Sequence, residues 1–175
     1  MQGKLNALAL AAAGITTVSA QTYQRLGACP KLGCLLPPDQ SDFLPGQLFD
    51  LRVEVHAPAN GSEAFNDGKP DEDFSVTITK KGGEPQDVAS FFEVDEPELE
   101  TWEFGWYEDL FAEDKDEETQ VNVASKIYRK IAISEPGEYE VALNYYDGET
   151  TVANWVVRPI KSEKRAKNII FFIGE

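Results

Sequence analysis

Few side chains in this sequence are of types that do chemistry, and their spacing narrows the set further. The single histidine, His56, sits on the polar parity of an alternating segment, and spacing fixes no catalytic partner for it. A solvent-facing imidazole is the expectation. Cys29 and Cys34 stand five apart in Cys-Pro-Lys-Leu-Gly-Cys. Pro30 and Gly33 can turn the chain tightly enough to join the sulfurs, so a local disulfide is expected. The competing metal or redox reading lacks the partner ligands of a zinc site and the C-x-x-C spacing of an oxidoreductase. Asp71, Glu72 and Asp73, or Asp114, Asp116, Glu117 and Glu118, supply oxygens for calcium without the spaced ligands and turn glycine of an EF-hand, which leaves solvated acidic loops as the default. Asn60-Gly61-Ser62 is the only N-glycosylation sequon and lies in a turn. Trp102, Trp106 and Tyr107 alternate with acids and admit two readings. They form a platform on which sugar rings stack, or they cover one end of the fold, the commoner use of large aromatics. No G-x-S-x-G, H-E-x-x-H or phosphate-cradling glycine loop occurs.

The elements that must position these residues have period two. Phe49, Leu51, Val53 and Val55 alternate with Asp50, Arg52, Glu54 and His56; Phe74, Val76 and Ile78 alternate with Ser75, Thr77 and Thr79. Further runs are Ile127, Arg129, Ile131 and Ile133, then Tyr139 to Tyr145, then Val152 to Val157, with Pro136-Gly137 and Asp147-Gly148 as turn signals. Five or more strands without a strong amphipathic helix indicate an all-β, immunoglobulin-like β-sandwich over residues 21–158. Glu135-Pro136-Gly137-Glu138-Tyr139 fits the corner of such domains at which a tyrosine hydroxyl bonds back to backbone, and plain apolar packing of Tyr139 fits equally. Residues 91–111 leave helix, strand and loop open.

Among the 175 residues are 31 acids and 16 bases, a net charge of −15, which repels nucleic acid and anionic lipid. Residues 84–118 hold 15 of the acids and one base, Lys115, whereas residues 158–167 hold five bases and one acid. The second stretch marks a basic linker, 159–167, whose Lys164-Arg165 pair by default only solubilises it and alternatively offers a processing site. Residues 1–20 carry Lys4, an apolar run from Leu5 to Val18 and small residues before Gln21, the pattern of a secretory signal peptide. The expected address is therefore extracellular or cell-wall, with no membrane span.

Residues 168–175 read differently from everything before them. Asn168-Ile169-Ile170-Phe171-Phe172-Ile173-Gly174 has five apolar residues in a row, as in a parallel strand covered on both faces. With the preceding Lys167, the segment resembles the opening strand of the alkaline phosphatase family. Leu48 to Pro58, Glu98 to Trp102 and Ala153 to Arg158 are similar to the leading extension of secreted fungal-type members. The resemblance implies a metal-dependent phosphomonoester hydrolase with zinc and magnesium, and a companion phosphatase domain as partner of the sandwich. It places Glu175 where the family has a metal-binding Asp and places the nucleophile and remaining ligands beyond it. The expectation is an N-terminal fragment, arising by truncation, splicing or an incomplete gene model, with an orphan first strand of an α/β domain and no activity of its own. The alternative is an independent secreted binding module for carbohydrate or a partner domain.

Overall fold

The apolar members of the alternating segments meet between two sheets, which the computed structural model describes over residues 29–61, 63–106, 118–161, 163 and 170–171. Strands β1 (Gly33–Leu36), β2 (Asp42–Phe43), β3 (Phe49–Pro58), β4 (Ser75–Lys80) and β5 (Gln86–Asp87) precede a short helix, α1 (Val88–Phe92). After it come β6 (Glu100–Trp106), β7 (Thr119–Ile131), β8 (Gly137–Tyr145) and β9 (Glu149–Val157). One sheet has the order β1-β3-β7-β6 and the other β2-β9-β8-β4-β5. All pairings are antiparallel except β2 on β9. These orders match the A-B-E-D and G-F-C-C′ sheets of immunoglobulin domains, with β2 added at the β9 edge.

Leu51, Val53 and Val55 of β3 and Ala124, Tyr128 and Ile131 of β7 face Val76 and Ile78 of β4, Val141 and Leu143 of β8, and Trp155 of β9. Trp155 is fully buried, with Phe43 and Phe49 edge-on to its indole at 5.5 and 5.6 Å. Its Nε1–H donates to the carbonyls of Pro37 and Pro38 at 3.3 and 3.2 Å, which satisfies the ring's one polar atom. The Tyr139 hydroxyl donates to the Glu135 carbonyl at 2.9 Å, so the tyrosine corner is present.

The alternation through Ile127 to Ile133 is interrupted. Ile127 lies opposite Arg52 and Tyr128 opposite Leu51, so Ile127 points away from the core and Tyr128 into it. A bulge at Lys130, with φ of 53°, then resets the phase and turns Ile131 inward. Asp50 Oδ1 accepts the Lys130 N–H at 2.7 Å, which occupies the donor that the bulge removes from the ladder.

Residues 91–106 combine helix end, extended chain and strand. Asp87 caps α1 by accepting the Ser90 N–H at 3.1 Å, and Glu93 closes it in the left-handed region. Phe92 packs edge-on to Phe49 and Phe91 to Tyr139. Ile170 and Phe171 are exposed and belong to no strand. The segment expected to be a signal peptide, Tyr107, Asp114, Asp116, Glu117, Lys164-Arg165, most of 168–175 and Glu175 lie outside the described residues. No helix among the described residues is long and apolar enough to cross a membrane.

Candidate functional site

Polar side chains are most deeply enclosed on the outer face of the four-stranded sheet. On β3 the outward positions are Arg52, Glu54 and His56, and Cys34 of β1 and Ser125 of β7 lie directly opposite Glu54 on either side. Val123 lies opposite His56, and Trp102 of β6 lies opposite Val123. An outward face of a sandwich is ordinarily wet, yet Glu54 is 0% and His56 and Ser125 each 1% exposed. Among the described residues the cover comes from two directions. The turn through Cys29 to Leu32 folds over the sheet, held by the His56 N–H to Leu32 carbonyl bond of 2.8 Å and by the Cys29–Cys34 disulfide. From the other edge, Phe104 presents its ring to the His56 imidazole at 5.6 Å, and Trp102 tilts against Phe104 at 5.6 Å.

This overturns the solvent-facing expectation for His56. The parity was right, but outward does not mean exposed where a turn and an edge strand close over the face. His56 Nε2 lies 3.0 Å from Glu54 Oε2, and Arg52 Nη1 donates to the other carboxylate oxygen at 3.4 Å. Cys34 Sγ is 3.4 Å from His56 Nε2 and 3.9 Å from Nδ1. The cysteine pair therefore has the third donor that sequence spacing did not supply, brought in by the β1–β3 register. Glu54 and Ser125 were not singled out from sequence. A signal existed: Val121, Val123 and Ala124 are apolar on both parities of β7, as in a strand covered on both faces.

A serine, a histidine and a carboxylate side by side suggest acyl-transfer chemistry, but the contacts assign the serine elsewhere. The Ser125 hydroxyl accepts from Trp102 Nε1 at 3.3 Å and lies 3.4 Å from the Glu100 carbonyl, to which it donates. With 1% exposure it offers a substrate no approach. Trp102 is half-buried with its indole N–H used in this way; only the backbone of Trp106 is described.

Among the described residues, Asn60 and Asp71 are spent on local structure. Asn60 Nδ2 donates to the Glu118 carbonyl at 2.9 Å and its Oδ1 accepts the Gln120 N–H at 2.7 Å, so the sequon side chain pins the start of β7. Asp71 accepts from the backbone N–H groups of Asp73 and Tyr146, at 2.9 and 2.7 Å, on the wall of an open concavity of about 830 Å³ lined also by Lys69, Asp73 and Asp147. The Tyr146 hydroxyl donates to the His56 carbonyl at 3.0 Å, and burial pushes its pKa up to about 12.

A sequence profile of the PhoA-like N-terminal domain matches residues 32–158. The chain belongs to that family. The match runs from the residue before β1 to the residue after β9, so the PhoA-like N-terminal domain is the two-sheet unit itself. The protein is thereby related to alkaline phosphatases. Comparison with curated protein sequences gives no significant match.

Proposed function

We propose that the sandwich is the leading module of a secreted, metal-dependent phosphomonoester hydrolase of the alkaline phosphatase type, and that the hydrolytic centre lies outside it on a companion phosphatase domain. The observation that carries this reading is the family match over the whole two-sheet unit. The donor set of the sandwich supports it. Among the described residues, the side chains that gather three ligand atoms are Cys29, Cys34 and His56, two of them joined in the disulfide. Phosphoryl transfer on zinc and magnesium needs several oxygen and imidazole ligands and a nucleophile. These residues do not fit that pair of ions, and no step through zinc or magnesium falls to them. The carbohydrate reading draws no support from Trp102, whose indole edge is engaged within the fold.

The purified chain, supplied with zinc and magnesium, is expected to release no p-nitrophenol from p-nitrophenyl phosphate above a heat-killed control. Turnover that is retained through purification and lost in His56→Ala would place the centre within the sandwich and overturn the proposal.

A further inference from the structure

The enclosed cluster on the outer sheet face carries a chemistry separate from the phosphatase reading. Cys29, Cys34 and His56 are buried, and one ligand atom from each lies within 4.8 Å of the others. We propose that reduction of the Cys29–Cys34 disulfide converts this cluster into a binding site for one thiophilic divalent cation, held by the two thiolates and the His56 imidazole, with Glu54 as the positioning residue for the ring.

The geometry favours such an ion. Metal–sulfur bonds of about 2.3 Å and metal–nitrogen bonds of about 2.0 Å in a tetrahedron place sulfur and nitrogen ligands roughly 3.6 Å apart. Cys34 Sγ is already 3.4 and 3.9 Å from the two imidazole nitrogens. Two thiolates in the same tetrahedron stand about 3.8 Å apart. Once the S–S bond is cut, the larger adjustment falls on Cys29, which lies on the covering turn rather than in β1. Glu54 Oε2, 3.0 Å from Nε2, accepts the Nε2–H and so leaves Nδ1, 3.9 Å from Cys34 Sγ, as the nitrogen free to ligate; a carboxylate behind a ligating histidine is how such rings are commonly oriented. Two thiolates neutralise the ion's double charge, which suits a buried site, and a water carried in with the ion supplies the fourth ligand of the tetrahedron.

The steps balance. A phosphine reductant supplies two electrons to the S–S bond and takes an oxygen atom from water to become the phosphine oxide, and the two protons of that water complete the thiols. Binding the cation then releases two protons. In the oxidised chain the sulfurs are bonded to each other and are not thiolates, so the ligand set is incomplete.

The test uses the full chain, reduced anaerobically with tris(2-carboxyethyl)phosphine and titrated with cobalt(II). The expected result is one cobalt per chain, with a thiolate-to-cobalt charge-transfer band and the intense visible bands of tetrahedral coordination, and neither in the oxidised chain. His56→Gln should weaken binding by at least about 10-fold, and Glu54→Gln by roughly 10-fold, the range seen when a group supporting a ligand is removed. Far-ultraviolet circular dichroism accompanies each titration. If reduction opens the sandwich, cobalt should restore its β signature. The proposal is overturned if the reduced chain lacks the tetrahedral bands, if His56→Gln binds as tightly as the unaltered chain, or if cobalt binds while the chain stays unfolded.

Discussion

Single polar atoms decide several features of this fold. The Tyr139 hydroxyl, 2.9 Å from the Glu135 carbonyl, is the only part of that side chain that apolar packing does not explain. Tyr139→Phe should therefore keep the core filled and cost about 1 kcal/mol, read as a lower urea midpoint at unchanged m-value. Tyr146 gives a pH signature. Burial raises its pKa to about 12 and also raises that of Tyr128, so the folded chain holds phenolic protons that an unfolded chain releases near pH 10. That contribution is complete below about pH 10 and is lost as pH rises through about 12 for Tyr146 and beyond that for Tyr128. Urea midpoints should fall along this alkaline limb, and Tyr146→Phe should flatten part of the fall. At this scale the sequence was least legible. The parity of His56 could be read from its neighbours, but its enclosure depends on the Cys29 to Leu32 turn and on Phe104, which reach it only through sheet pairing.

Strand β1 ties the covering turn to the core, and two substitutions test its role. Gly33 is packed so closely against β8 and β9 that a Cβ there would lie 2.7 Å from Tyr145 Cζ and 2.9 Å from Thr151 Oγ1. The Thr151 hydroxyl also donates to the Gly33 carbonyl at 3.0 Å, so the strand cannot shift without losing that bond. Gly33→Ala is expected to cost about 1–3 kcal/mol through overpacking, measured by equilibrium denaturation. Replacing both cysteines by serine should cost about 2 kcal/mol, the small value that follows from closing so short a loop, provided the serines hydrogen-bond in the buried site. β3, β4, β8 and β9 were legible because each is long enough to show alternation. β1, β2 and β5 have four residues or fewer, too few for a period to appear. β6 was ambiguous because its apolar residues are rings on one face of an edge strand whose other face is exposed. The alternation through β7 was misread at its end because a bulge changes phase without any glycine or proline to announce it.

For the whole molecule, the sandwich closes at β9. Val157 pairs with Gly137 and Phe43, the Arg158 N–H donates to the Phe43 carbonyl at 2.9 Å, and the Arg158 guanidinium reaches Asp42 at 2.9 Å. Past this clasp, Ile160, Ile170 and Phe171 are 70%, 77% and 84% exposed, so the described apolar side chains there add little to the core. They are the kind of surface that drives association, in a chain whose net charge of −15 opposes it. A chain ending at Arg158 should therefore unfold within about 2 °C of the full chain, an interval that for a chain of this size corresponds to roughly 0.5–1 kcal/mol. It should also remain monomeric to higher concentration, which sedimentation or light scattering would show. A fall of several degrees on truncation would mean that residues beyond Arg158 pack on the sandwich as part of its native structure. In that outcome the boundary set by β9 would be wrong, and the later residues would belong to the domain rather than to whatever it accompanies.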